Sequence, residues 1–250
     1  MAVCKKHNLL VLEDACQAVG SSYKGKVVGT IGDAGAYSFN YFKIISAGEG
    51  GALITNNKEI FERGLIYHDS CAVAYFGDQM KDFQTEPFCG SEFRTNEITA
   101  AILREQLKRL DGILADLRRV KKMVESYLAP YATFSPVNDA EGEGAYTVSL
   151  KFDTVEQAAA FNEKYPESVI PAKMGKHVYS DWKCIIEQRG AVHPLMDPFR
   201  FEANKGFSFP EDACKKSLEI MSKHARVYLN PDWTDEEVKS FADEIIKALA

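Results

Sequence analysis

The chain has 250 residues, a formal net charge of −6 and 46% hydrophobic residues, enough apolar material for a sizeable core in one large domain or two small ones. Its mild acidity argues against a nucleic-acid or anionic-membrane surface, and no apolar run approaches the roughly 20 residues of a membrane-spanning helix. The cysteines Cys4, Cys16, Cys71, Cys89, Cys184 and Cys214 form no CxxC pair and no metal-ligand spacing, so they read as reduced cytosolic thiols rather than a disulfide, zinc or iron–sulfur framework.

"NLLVLEDACQA" opens with a short continuous apolar run, the pattern of a buried parallel strand, and two acids end it. The preceding apolar stretch is too short for a secretory leader, which fits a cytoplasmic protein. "SSYKGKVVGTIGDAGAYSFN" is punctuated by glycine and reads as short strands joined by tight turns. "GEGGALITNN" predicts a turn and a strand, and "KEIFERGLIYH" a helix with Ile60, Gly64 and Tyr67 on one side. Residues 72–91 are irregular and aromatic (Tyr75, Phe76, Phe83, Phe88), the pattern of a long loop that is either functional or disordered.

"RTNEITAAILREQLKRLDGILADLRRVKKMVESYL" carries an apolar stripe at helical spacing, from Ile98, Ala101 and Ile102 through Leu107 and Leu110 to Ile113, Leu114 and Leu117. Gly112 marks an expected bend or break, and Arg118, Arg119, Lys121 and Lys122 an expected solvated face. "SPVNDAEGEGA" reads as a loop at a domain boundary, dividing the chain into residues 1–134 and 135–250. Beyond it come a strand in "AYTVSLKF", a helix in "TVEQAAAFNEKY", a strand in "SVIPA" and an aromatic, loop-rich insertion at 177–201. "PEDACKKSLEIMSKHARVYL" then reads as helix and strand. "WTDEEVKSFADEIIKALA" is a helix opened by a Thr234/Glu237 capping box.

Glu13 and Asp14 lie at the carboxyl end of the first predicted strand, where open α/β sheets place their ligand crevices. The alternative is that they cap a following helix. Lys43 is either a solvated loop lysine or a reactive one. Asp14, Gln17, Ser38 and Lys43 occur in order, each near a strand end, ahead of "GEGG". A lysine that forms a Schiff base with a pyridoxal cofactor needs an acid at the pyridine nitrogen, a polar group at the ring hydroxyl and donors for the phosphate. Asp14, Gln17 and Ser38 offer these three chemistries.

The stretch "EDACQAVGSSYKGKVVGTIGDAGAYSFNYFKIISAGEGGALIT" resembles the cofactor region of the DegT/DnrJ/StrS aminotransferase family, with its E-D-x-A/C-Q, G-D-x-G, S-F-x-x-x-K and G-E-G-G pattern. The resemblance continues through "FRTNEITAAILREQLKRLD" and more loosely to "PDWTDEEV". It implies an α/β, fold-type I large domain, incomplete here (1–134), with a small α+β C-terminal domain (135–250). It implies pyridoxal 5′-phosphate as cofactor, Lys43 as the catalytic Schiff-base lysine, Asp14 at the pyridinium nitrogen, Gln17 at the ring hydroxyl and Ser38 at the phosphate. The implied reaction is transamination of a keto-sugar with glutamate or glutamine as donor, in a homodimer with shared sites. The implied acceptor is a nucleotide-linked keto-hexose, a keto-inositol or an octulosonate. No metal is implied.

Two departures stand out. The family's segment before "EDA", with several strands and a phosphate loop, has no counterpart ahead of Asp14, which predicts a fragment, a misplaced start or half of a split enzyme; a pseudoenzyme or regulatory subunit is the alternative. The family's asparagine, which reaches the partner's cofactor phosphate, falls at Glu92, with Arg94 or a shifted Asn96 as compensation. The resemblance also points to His68, His177 and Tyr179 as walls of the substrate site, and it places the 72–91 loop and the start of the Arg94 helix at the dimer interface.

Overall fold

A computed structural model of the chain describes residues 1–72, 80–210 and 213–250. They form two compact units, Met1–Arg119 with Val137–Tyr146, and Val120–Pro136 with Thr147–Ala250.

The first unit opens with α1 (Ala2–Lys6) and holds a three-stranded sheet of β1 (Leu12–Asp14), β4 (Ala34–Ser38) and β5 (Gly51–Ile54), in the order β1-β4-β5. β1 and β4 are parallel, with Asp14 opposite Ala36, and β5 returns antiparallel to β4. Between β1 and β4 lies a hairpin of β2 (Ser22–Tyr23) and β3 (Lys26–Val27). Lys24 and Gly25 turn it with φ of 51° and 76°, the double left-handed geometry that suits the twist of a two-residue hairpin. Gly35 lies where an added Cβ would meet the Gly29 carbonyl oxygen.

The apolar run before Asp14 is not buried. Leu9, Leu10 and Leu12 are 58%, 79% and 70% exposed. Among the described residues β1 pairs only with β4, so one edge of that run has no neighbour to cover it. The core sits beyond β4, where Val19, Phe39, Ile45, Leu110 and Leu114 pack together with Tyr37, Ile44 and Leu103 around them.

α2 (Lys58–His68) begins at Asn57, whose side chain accepts from the Ile60 N–H. Its buried face is Glu62 and Ile66, not the expected side with Ile60 and Tyr67. The Glu62 carboxylate accepts from the Gln84 and Thr85 amides and the Thr85 hydroxyl, pinning the chain after the long loop to this helix.

α3 (Glu97–Leu128) is one continuous helix of 32 residues. It neither ends nor breaks at Gly112. Its apolar stripe divides: Leu110, Leu114 and Leu117 are buried, whereas Ile98, Ile102 and Leu107 are exposed. The basic run is not simply solvated either. Lys121 is buried with Glu125 at 3.7 Å, and Arg118 donates through Nε to the Glu143 carbonyl at 3.0 Å.

That last bond belongs to a return crossing. Val137–Tyr146 folds with the first unit: the Ser22 amide donates to the Gly142 carbonyl at 2.7 Å and the Lys24 amide to Asp139 Oδ2 at 2.6 Å.

The second unit carries an antiparallel sheet, β6 (Thr133–Phe134), β7 (Thr147–Lys151) and β8 (His224–Tyr228), in that order. Val148, Leu150, Ala225 and Val227 alternate inward and are buried, as a one-sided sheet requires. α4 (Val155–Lys164) packs against β8, α6 (Lys215–Ser222) and α7 (Asp235–Leu249). Thr154/Gln157 and Thr234/Glu237 close reciprocal capping boxes at the starts of α4 and α7. "SVIPA" is not a strand. It makes one bridge, Val169 to Arg226, before Pro171, which lacks a ladder donor, starts a 3-10 turn. The aromatic insertion holds only a short helix, α5 (Lys183–Ile186), among 3-10 turns. Among the described residues no helix is long and apolar enough to cross a membrane, and no cluster of His, Cys, Asp and Glu is arranged to hold a metal.

Candidate active site

Parallel pairing of β1 with β4 sets two carboxyl strand ends side by side, with Asp14 opposite Ala36 and Ser38 two residues further along β4. No helix follows β1. A turn closed by the Ala18 amide on the Ala15 carbonyl at 2.9 Å follows instead, so neither acid is a helix cap. Pleating sends adjacent side chains to opposite faces, and the two acids have separate partners. Glu13 takes the amides of Gly29, Ile31 and Gly32 at 2.9, 2.6 and 2.6 Å. Burial pushes the Glu13 carboxyl up, and those three bonds outweigh it and hold the group below its ordinary value.

Asp14 is exposed, and its Oδ1 accepts from the Cys16 amide at 3.2 Å. Hydrogen bonds from the Cys16 side chain and backbone hold its carboxyl below the usual range, slight burial opposes them, and the charge of Lys43 adds its attraction. Burial and the neighbouring Asp14 carboxylate push the Cys16 thiol up, and Cys16 Sγ lies 3.6 Å from the Ala36 carbonyl. Gln17 lies exposed in the turn.

Lys43 is half-buried, on an excursion anchored at both ends by buried Phe39 and Ile45. Phe39 donates its amide to the Gly50 carbonyl at 2.9 Å and accepts from the Ala47 amide at 3.1 Å, which ties the excursion to the glycine bend. Asn40 shapes what lies between. Its Oδ1 accepts from the Phe42 amide at 3.2 Å, its carbonyl from the Lys43 amide at 3.1 Å, and its own amide donates to Ser38 Oγ at 3.5 Å. Asp14, Ser38 and Lys43 thus gather at one end of the β1–β4 pair, with Gln17 in the adjoining turn.

The chain at Ser91–Phe93 zips onto the end of α2. The Ser91 amide meets the Tyr67 carbonyl at 2.8 Å, the Phe93 amide the His68 carbonyl at 2.7 Å, and Asp69 bridges Glu92. Arg94 clasps Glu92 through Nε and Nη2, and this bond holds the Glu92 carboxyl below its ordinary value. Asn96 takes no part in that clasp, because its Oδ1 caps α3 by accepting from the Thr99 amide at 2.9 Å. His68 Nδ1 lies 2.8 Å from the Leu65 carbonyl. His177 and Tyr179 belong to the second unit, where His177 is exposed and the Tyr179 hydroxyl donates to the Ala213 carbonyl. Of the loop aromatics, Phe83 packs edge-on to Phe61 at 6.4 Å and Phe88 lies under the Arg63 guanidinium at 5.1 Å, both folded back on α2. Tyr75 and Phe76 lie outside the described residues.

Sequence reasoning passed over Glu13 as an anchor, Cys16 as the partner of Asp14, and Asn40. The signals were an acid across from a glycine-punctuated loop and an Asn two residues before an amide it can bind.

The fold is that of the fold-type I aminotransferase class. A family model described as the DegT/DnrJ/EryC1/StrS aminotransferase family matches residues 1–189, and the chain belongs to that family. The L-glutamine:2-deoxy-scyllo-inosose aminotransferase of Streptoalloteichus tenebrarius is 34% identical over 61% of the chain and 38% of its own length. The GDP-perosamine synthase of Caulobacter vibrioides is 37% identical over 52% of the chain and 33% of its own length. A Micromonospora echinospora relative aligns with 98% of the chain at 27% identity, and the chain spans only 59% of that relative's length. In fold the chain is similar to the Helicobacter pylori aminotransferase PseC (TM-score 0.70, 19% identity, 99% of this chain and 62% of that one). It is likewise similar to an E. coli GDP-4-keto-6-deoxy-D-mannose-3-dehydratase with bound hydrated PLP (TM-score 0.71, 17% identity, 98% and 62%).

Proposed function

We propose that the protein transfers an amino group from glutamate or glutamine to a keto-sugar, with pyridoxal 5′-phosphate as cofactor. The observation that carries this reading is the gathering of Asp14 and Ser38 at neighbouring carboxyl strand ends, with Lys43 on the excursion that follows β4. The donor set fits the cofactor. Asp14 is ionised and exposed, and a low-pKa carboxylate keeps a pyridine nitrogen protonated. The Ser38 hydroxyl and the Gln17 amide offer donors for the phosphate and the ring hydroxyl. Lys43 is the amine that would hold the aldehyde carbon.

Pyridoxal phosphate, when bound, supplies an electron sink for the carbon that exchanges its amino group. Asp14 sustains that sink by holding the ring-nitrogen proton. Lys43 moves a proton at its Nζ in both halves of the exchange, as base and then acid. In this reading the first unit, Met1–Arg119 with Val137–Tyr146, carries the cofactor set, and the second forms the small domain. The acceptor is a nucleotide-linked keto-hexose, a keto-inositol or an octulosonate, and the assembly is a homodimer. The glutamine-dependent inosose relative and the perosamine synthase support a keto-sugar acceptor in general.

The test is borohydride reduction of the protein mixed with pyridoxal phosphate, followed by peptide mass analysis. The cofactor mass is expected on the Lys43 peptide and lost in Lys43→Ala. Full transamination by Lys43→Ala, or fixation at another lysine, overturns the reading.

A further inference from the structure

We propose that Asn40 is the positioning residue of the Lys43 amine. The inference rests on the reading of Lys43 as the cofactor lysine. Among the described residues Asn40 is the one hydrogen-bonded to both Ser38 and Lys43: its amide meets Ser38 Oγ at 3.5 Å and its carbonyl accepts the Lys43 amide at 3.1 Å. The second bond closes a four-residue turn from Asn40 to Lys43.

Its side chain sets the direction of that turn. Oδ1 accepts the Phe42 amide at 3.2 Å, a side-chain mimic of a backbone turn that asparagine makes readily. The residues between do not fix the turn by burial, since Tyr41 and Phe42 are 69% and 66% exposed. The buried anchors, Phe39 and Ile45, lie outside it. Within the turn the Tyr41 and Phe42 ring centroids lie 4.0 Å apart, and the Asn40 side chain ties the Phe42 amide back toward the end of β4, so that side chain helps to shape the path to Lys43.

Truncating Asn40 frees an amide that lies beside exposed side chains and can turn to water, so the fold loses little. Lys43 loses its fixed path relative to Asp14, so the cofactor linkage suffers while the fold does not. That separation distinguishes a positioning role from a structural one.

The experiment compares the unmodified protein with Asn40→Ala and Asn40→Ser. Each is titrated with pyridoxal phosphate by visible absorbance across pH, then fixed with borohydride and weighed at the Lys43 peptide; thermal midpoints are recorded without cofactor. Asn40→Ala is expected to raise the Kd for pyridoxal phosphate up to about tenfold, the scale of one lost hydrogen bond. It is also expected to displace the pH midpoint of the absorbance band while leaving the thermal midpoint in place. Asn40→Ser should fall between Ala and Asn, because a hydroxyl makes the same turn more weakly. Native Kd and pH midpoint in Asn40→Ala, or an Asn40→Ser no better than Asn40→Ala, overturn the inference. A fall in thermal midpoint with an unchanged pH midpoint also overturns it, assigning Asn40 to the fold alone. If the unmodified protein takes no cofactor at Lys43, the functional reading fails and this inference with it; failure in the variants alone leaves that reading standing.

Discussion

Arg94 binds Glu92 with one edge of its guanidinium, Nε at 3.0 and 3.1 Å from the two carboxylate oxygens and Nη2 at 2.9 Å from Oε2. Both side chains are half exposed. The position where the family resemblance expects a neutral amide thus carries a neutral ion pair. If this pair lies beside the cofactor phosphate, Arg94→Ala leaves a bare carboxylate there and weakens retention of pyridoxal phosphate several-fold. Adding Glu92→Ala to that variant should recover most of the loss, as a double-mutant cycle on one interacting pair does. Equal retention in the unmodified protein, Arg94→Ala, Glu92→Ala and the double variant would place the pair away from the phosphate.

The Glu13 carboxyl sits below its ordinary value of 4.5. A group depressed in the folded state contributes stability above its unfolded pKa and loses it as pH falls through the folded one. Glu13→Gln should therefore flatten the acid side of the stability profile below about pH 4.5. At neutral pH it should cost about 1–2 kcal/mol, the low end for bonds to a charged acceptor because the site is partly screened. Denaturant titrations at two pH values measure both, and an acid limb as steep as that of the unmodified protein would remove Glu13 as its source.

Two glycines of the first unit make opposite predictions. A Cβ at Gly35 would stand 2.0 Å from the Gly29 carbonyl oxygen, whereas one at Gly112 meets nothing within 4 Å. Gly35→Ala should cost about 1–3 kcal/mol or more, since two backbones must part. Gly112→Ala, in an exposed helix interior, should add about 0.5–1 kcal/mol. Thermal midpoints that moved in the same direction would contradict the packing at Gly35 or the continuity of α3.

In the second unit, Thr234 Oγ1 accepts the Glu237 amide while Glu237 reaches back to the Thr234 amide. Thr234→Ala should cost about 1 kcal/mol. Thr234→Ser should recover most of it by calorimetry; an Ala variant as stable as the unmodified protein would show that α7 holds without its cap.

What could be read from the sequence was local. α3 follows from apolar periodicity, and α7 from the capping box at Thr234, which needs only a residue and its third neighbour. Asp14 and Ser38 could be placed at strand ends because strands are short and glycines bound them. What escaped depends on partners far along the chain. The amides that hold Glu13 lie 16 to 19 residues away. Leu9 and Leu10 look like core until the sheet order shows β1 at an edge. Lys121 looks solvated until its surroundings are known, and the boundary loop turns back to the first unit through bonds to Ser22 and Lys24. Composition cannot report any of these, because burial belongs to neighbours rather than to residues.

The bond from the Lys24 amide to Asp139 spans 115 positions, which gives the protein a timetable. During synthesis the β2–β3 hairpin emerges before α3, yet the segment that closes over it leaves the ribosome only after all of α3. Closing so long a loop carries an entropic penalty that local helices avoid. The nascent chain must therefore keep its first unit unfinished until Tyr146 is free, and a chain that stalls anywhere in α3 will present that half-built unit to chaperones and proteases.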